Sequence, residues 1–187
     1  SAASDVYKRQ GLSMNMAAAE ITRCVLERDD KVRILDADAL NIIAGEHIDY
    51  KGSREGQIII TPHIMEMSRL TGKTVADIKE HMIESAKEYA IQHSCICILK
   101  DARTVVTDGQ KVYINCTGND GMSTGGCGDV LTGLIAGMTA MGLDAFEAAC
   151  LSVYVHGKAG DYAASGKGRA GMTAADISEA IAYVLKR

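Results

Sequence analysis

The sequence predicts an α/β fold in which a mostly parallel sheet carries helices on both faces. Strand-like apolar runs alternate with helical patterns, and the early runs are short, continuous and apolar, as strands buried on both faces are. A third observation agrees with these two: a polar cluster directly follows each of the three predicted buried strands.

Element by element, residues 15–27 form an amphipathic helix with Ala18, Ile21 and Val25 on one face. Residues 32–35 are a strand ending at Asp36, and Asp38 is positioned to cap a short helix through Ala44. A second strand, residues 57–60, leads into Thr61-Pro62-His63 and a short helix to Leu70. Thr74 then caps a longer helix to about residue 92, with Val75, Ile78, Met82 and Ala86 inward. Residues 95–99 are a third buried strand. Residues 104–107 and 111–115 flank Asp108-Gly109, a strong hairpin signal. Three helices follow, over residues 130–141, 145–164 and 174–185, the last capped by Thr173. Residues 1–10 have neither periodicity nor a cap and are read as a non-native or disordered leader; residues 11–187 are the domain.

With 187 residues, 47% of them hydrophobic and 24% charged, the chain can bury a substantial core as one domain. A formal charge of -4 and the lack of a Lys/Arg stripe exclude nucleic acid as the expected partner. No apolar run reaches membrane-spanning length, and no secretory leader is recognisable, so a cytoplasmic protein without membrane contact is expected. The six cysteines lack paired metal-ligand spacing and read as reduced, mostly buried small hydrophobes. Cys95 and Cys97 share one face of a strand, which argues more for packing than for a redox pair.

The run Thr124-Gly125-Gly126-Cys127-Gly128-Asp129-Val130-Leu131-Thr132-Gly133 combines a glycine-rich turn, an acid and a helix start. Glycines admit a ligand close to the backbone, and the unpaired N–H groups of a first helical turn, with the helix dipole, favour phosphate there. A carboxylate beside phosphate repels it, so Asp129 is better explained as a base that takes a proton from an attacking hydroxyl. The plainer alternative is an acid that complements the dipole.

The polar clusters are Asp36-Ala37-Asp38-Ala39-Leu40-Asn41, Thr61-Pro62-His63-Ile64-Met65-Glu66, and Lys100-Asp101-Ala102-Arg103-Thr104. Ligands of open α/β sheets bind outside the carboxyl ends of the strands, so all three line one crevice. His63, beside the only proline, is poorly placed for a core histidine and reads as a ligand-binding residue. Glu66 is either a helix-surface acid or the partner of a metal-bound water. Lys100 closes an apolar strand where its charge can reach nucleotide phosphate.

This ordered set, with Gly118-Asn119 and Gly121-Met122, resembles the NAD(P)H-hydrate dehydratases of the ribokinase-like carbohydrate kinase family, from Gly11 to the C-terminus. The resemblance implies a ribokinase-like three-layer fold. It also implies nucleotide-dependent dehydration of the S epimer of hydrated NADH or NADPH, with ADP or ATP as co-substrate and Mg²⁺. Asp129 then matches the base and a substrate contact; Gly11 and His63 match substrate positions. Lys100, Asp101, Ala102, Arg103, Thr104, Gly126 and Gly128 match nucleotide positions, and Glu66 would organise Mg²⁺ through water. A homo-oligomer, a tetramer in this family, and an upstream epimerase domain are further implications.

The chain departs from the pattern at Met65, Asp101 and Cys127, and a helix N-terminus at Cys127 is expected to depress its thiol pKa. Gly11-Leu12-Ser13 resembles the end of a loop whose beginning is missing. Early sheet strands are therefore expected to be absent, leaving an unpaired apolar edge. The alternatives are a small-molecule kinase of the same superfamily, acting on hydroxyethylthiazole or pyridoxal, and a nucleotide-binding fragment without catalysis.

Overall fold

The structure, a computed structural model, describes residues 16–28, 30–52 and 57–186. The expected leader, Gly11 and the loop remnant around it lie outside the described residues. Among the described residues, five strands and eight helices follow one another as α1 (Met16–Glu27), β1 (Arg33–Leu35), α2 (Asp38–Gly45), β2 (Ile58–Ile60), α3 (Ile64–Thr71), α4 (Val75–Glu80), α5 (Met82–His93), β3 (Ile96–Leu99), β4 (Val105–Thr107), β5 (Val112–Ile114), α6 (Cys127–Ala140), α7 (Ala145–Lys167) and α8 (Ala174–Leu185). A 3-10 turn, Asp120–Met122, precedes α6.

The strands lie in the order β1-β2-β3-β4-β5. Connections containing helices make β1, β2 and β3 parallel, whereas the five residues 100–104 are too few for a crossover and turn β4 back antiparallel to β3. Asp108-Gly109 closes the β4–β5 hairpin as expected, with Gly109 at φ 94°. Among the described residues β1 is one edge of the sheet, yet Arg33, Ile34 and Leu35 are all buried. Among the described residues, the side chains of this strand are thus buried and form no exposed apolar face.

Strand alternation separates two cores. Leu35, Ile58, Ile60, Cys97 and Leu99 point to the layer of α2 through α5, while Ile34, Ile59, Ile96 and Ile98 point to Leu131 and Ile135 of α6 and Val153 of α7. Both faces of each central strand are thus dry, which is why these strands read as unbroken apolar runs. α8 packs on α6 and α7 through Ile177 and Ala180, outside the second layer.

Two expectations need correction. The helix expected over residues 74–92 is two helices, because His81 leaves helical geometry at φ -125°, ψ 49° and ends α4 before α5 begins. Thr74 does cap α4, accepting the Asp77 N–H at 3.1 Å. Asp38 is not a cap but the first residue of α2; Ala37 precedes it at φ 50°, ψ -116°, without a side-chain cap. The cysteines are all free, but Cys24 and Cys116 are exposed, so burial holds for only part of the set.

Because Ile59 is fully buried in the middle of the parallel strands, Ile59→Ala should lower stability by about 2–5 kcal/mol. Met141→Ala, at an exposed position, should change it by about 0.5 kcal/mol or less. Equilibrium urea unfolding of both variants measures the contrast.

Candidate functional site

The three polar clusters do converge at the carboxyl ends of β1, β2 and β3. Asp36 immediately follows β1 and is buried; Lys100 immediately follows β3, and its Nζ lies 3.0 Å from Asp36 Oδ1 across the end of β2. His63 extends β2 far enough to pair with Lys100 in parallel register, and the Lys100 N–H donates to the Pro62 carbonyl at 2.8 Å. Lys100 thus pairs through its backbone with the His63 segment and through its side chain with Asp36 beyond it.

His63 is also the N-cap of α3. Its Nδ1 accepts the Glu66 N–H at 3.1 Å, and the His63 N–H donates to Glu66 Oε2 at 2.8 Å. Two otherwise unsatisfied helix-start donors are thereby paired reciprocally. An accepting Nδ1 places the imidazole proton on Nε2, which lies 3.5 Å from Glu66 Oε1, while half of the side-chain surface stays open to solvent. Glu66 is buried, so its alternative reading as a surface acid is excluded. Burial raises its pKa, opposed by the His63 backbone hydrogen bond and by the charge of Lys100.

The helix start of α6 meets this cluster from the opposite face of the sheet. Gly126 is its N-cap at φ 90°, a left-handed conformation that favours glycine. A Cβ on Gly128 would point to within 3.6 Å of Asp36 Oδ2 and 3.7 Å of Lys100 Nζ. Glycine there leaves the first turn open toward the ion pair. One turn on, Thr132 Oγ1 lies 3.1 Å from Asp36 Oδ2 and 3.0 Å from the Gly128 carbonyl, so one hydroxyl ties the helix to the strand end. Asp129 lies in the same first turn, partly buried.

The structure therefore brings His63, Glu66, Lys100, Gly126, Gly128 and Asp129 to one end of the sheet. Asp101, Ala102 and Arg103 continue from Lys100 as an exposed bend, and Thr104 leads into β4. Gly11 cannot be placed, being outside the described residues. Cys127 is corrected: burial raises its thiol pKa and outweighs the lowering hydrogen bond at Thr124, so the helix N-terminus does not activate it. Among the described residues no group of three or more His, Cys, Asp or Glu side chains is arranged to hold a metal ion. No described helix is long and apolar enough to cross a membrane.

Sequence reasoning missed Thr132 and His156. Thr132 reads as an ordinary helical residue, because its partner Asp36 is 96 positions away. His156 lies in the long, mostly small-residue α7, where nothing in the local pattern singles it out. Its Nε2 is sealed from solvent without a hydrogen-bond partner among the described residues. Burial lowers its pKa from 6.5 to about 4, against a raising backbone hydrogen bond at Cys127, and the charge of Lys100 lowers it further.

Comparison with known proteins gives the family and the fold. The profile of the NAD(P)H-hydrate dehydratase family matches residues 10–183. The chain belongs to that family. It is 45% identical to a bifunctional NAD(P)H-hydrate repair enzyme of Moorella thermoacetica over 94% of this chain and 33% of that enzyme. It is 35% identical to the ADP-dependent (S)-NAD(P)H-hydrate dehydratase of Neisseria meningitidis serogroup B, over 95% of this chain and 61% of that enzyme. The chain thus spans from about a third to three fifths of the length of these relatives. The Bacillus subtilis ADP/ATP-dependent NAD(P)H-hydrate dehydratase, co-crystallised with ATP/Mg²⁺ and soaked with CoA, superposes with a TM-score of 0.83 at 30% identity, covering 98% of this chain and 68% of that one. A hydroxyethylthiazole kinase of Pyrococcus horikoshii shares the fold alone, at a TM-score of 0.65 and 14% identity over 88% of this chain and 64% of that one. The architecture is the three-layer ribokinase-like fold.

His156 carries a pH signature. Above pH 6.5 it is neutral folded and unfolded; between 6.5 and about 4 only the unfolded chain takes up its proton; below about 4 both do. Its contribution to stability is therefore lost as pH falls through that window, by up to roughly 3 kcal/mol at about 1.4 kcal/mol per pH unit. His156→Gln should flatten this part of the difference in urea-unfolding free energy between pH 7 and pH 4, relative to the unsubstituted chain.

Proposed function

We propose that this chain carries the dehydratase chemistry of its family: nucleotide-dependent dehydration of the S epimer of hydrated NADH or NADPH, regenerating the reduced cofactor. ADP is the favoured co-substrate, giving AMP and phosphate. The observation that carries the reading is the junction of Gly128, Lys100 and Asp36, where an open helix N-terminus faces a fixed ammonium. Such an arrangement suits an anionic phosphate chain.

Nucleotide phosphate would lie against the N–H groups after Gly126 and near Lys100, with Asp101, Ala102, Arg103 and Thr104 along the nucleotide and His63 toward the substrate. The substrate hydroxyl is a poor leaving group. Asp129 takes its proton as the oxygen attacks the terminal phosphorus, the bond from phosphorus to the nucleotide oxygen breaks, and a phosphate ester is formed. The lone pair of the ring nitrogen then expels phosphate, and loss of a proton from the neighbouring ring carbon restores the dihydronicotinamide. The protein's task is alignment, charge neutralisation and one base.

The residues present fit Mg²⁺ that arrives on nucleotide phosphates, since Glu66 offers hard carboxylate oxygen and no complete protein cage exists among the described residues. Mg²⁺ would draw charge from the transferring phosphoryl group, with Glu66 holding one of its waters. Assembly as a homo-oligomer, and union with an epimerase domain as the word bifunctional in the Moorella relative's name suggests, belong to the same reading.

Asp129→Ala should lower turnover about 10²–10⁴-fold while nucleotide affinity stays within about threefold. The assay follows near-ultraviolet absorbance of reduced nicotinamide and free phosphate together, using hydrated NADH, Mg²⁺ and ADP or ATP. Near-normal turnover by the variant would remove Asp129 from the role of base. A stable phosphorylated product without return of absorbance would instead identify a small-molecule kinase.

A further inference from the structure

The helix start that holds Asp129 is delivered by the segment from Thr117 to Gly126, and this segment rests on α7 rather than on the sheet. Asp161, on α7, accepts the Gly118 N–H at 3.0 Å through Oδ2 and the Asn119 side-chain amide at 3.1 Å through Oδ1. Asn119 in turn uses its own Oδ1 to accept the Gly121 N–H at 3.1 Å, which starts the 3-10 turn. Each acceptor oxygen in this relay has a matching donor, so its orientation is fixed.

Packing enforces the same register. A Cβ on Gly157 would collide with Thr117, and one on Gly160 with Met122, so α7 is notched where the segment crosses it. Thr117 Oγ1 also donates to the Tyr154 carbonyl of α7 at 3.0 Å. In the middle of the segment, a Cβ on Gly121 would strike the Arg169 backbone, and Arg169 pairs with Asp120 at 3.1 Å. The segment is thus held from Thr117 to Met122 by α7 and the turn after it, and Gly126 lies against Ala174 of α8.

We propose that Asp161 is a positioning residue for the reaction: it sets the register of the 117–126 segment and, through it, the placement of Asp129 in the first turn of α6. Asp161 does not touch the reacting atoms. This inference rests on the dehydratase reading for its kinetic consequence, but the geometry it describes has an independent readout. Cys127, the first residue of α6, is buried and reports the seating of the segment.

The relay permits a donor–acceptor exchange. In Asp161→Asn the introduced amide faces the Asn119 amide, donor against donor, and turning Asn119 over only moves the conflict to the Gly121 N–H. In Asn119→Asp two carboxylates face each other. The double variant, Asp161→Asn with Asn119→Asp, restores the pairing in reverse. The amide oxygen introduced at position 161 takes the Gly118 N–H, its NH₂ group donates to the carboxylate introduced at position 119, and that carboxylate still accepts from Gly121.

The experiment compares the natural protein that carries this chain with both single variants and the double variant. It measures kcat and nucleotide KM in the absorbance and phosphate assay, and the iodoacetamide labelling rate of Cys127 by peptide mass mapping, with urea midpoints as the folding control. Each single variant should lose kcat at least tenfold and should label Cys127 at least fivefold faster; nucleotide KM should rise as well, because the phosphate-facing turn after Gly126 shifts with the segment. The double variant should return kcat and labelling to within about threefold of the unsubstituted protein. If a single variant does not fold, the double variant decides.

Unchanged kcat and labelling in Asp161→Asn, or failure of a folded double variant to restore them, overturns the proposal. An unsubstituted protein with no dehydration activity overturns the dehydratase reading instead, and Cys127 labelling then decides the role of Asp161 alone.

Discussion

The site is organised by one desolvated ion pair, Lys100 with Asp36, which spans the carboxyl end of the middle parallel strand. Such a pair contributes little net stability by itself, because desolvation offsets most of its attraction, yet losing one partner strands a buried charge at a cost of about 3–5 kcal/mol. Its value is therefore geometric. Asp36 cannot move without abandoning Lys100 and Thr132, and Lys100 cannot move without breaking the backbone pairing that carries His63. The pair fixes the relative positions of β1, β3, α3 and α6 at the point where they meet.

Charge at this junction is arranged around a single ammonium. Asp36 and Glu66 are both buried acids near it; burial pushes Glu66 toward the neutral form, and Lys100 is one of the influences that hold it back toward ionisation. His156 stays neutral at ordinary pH and adds no competing positive charge. The N-terminus of α6 supplies partial positive charge from backbone N–H groups, with glycine at 128 leaving them approachable. An anion entering here meets a cation already oriented by its own counter-ion.

Much of this arrangement was legible in the sequence, for reasons that differ by element. Residues 57–60 and 95–99 announced buried strands because both of their faces are dry. The Asp108-Gly109 hairpin, the Thr74 and Thr173 caps and the glycine loop are local signals, and each depends only on neighbours a few residues away. The rule that ligands gather at strand ends then grouped Asp36, His63 and Lys100 correctly. Thr132 and His156 were not readable, since their importance comes from contacts with residues far off in the chain. The misreadings have the same origin. Asp38 has the chemistry of a cap, but Ala37 in its unusual backbone conformation starts the helix one residue earlier. Cys127 stands at a helix N-terminus, but tertiary burial raises its thiol pKa.

The central claim is that nucleotide phosphate is held between the first turn of α6 and the segment beginning at Lys100. Hydrogen–deuterium exchange of the natural protein, with and without ADP and Mg²⁺, tests it most directly. Protection should appear together in peptides covering residues 124–130 and 100–104, with much smaller changes on the outer faces of α4 and α8. Nucleotide-dependent protection confined to some other surface, with both of these segments exchanging as they do in the free protein, would contradict the account.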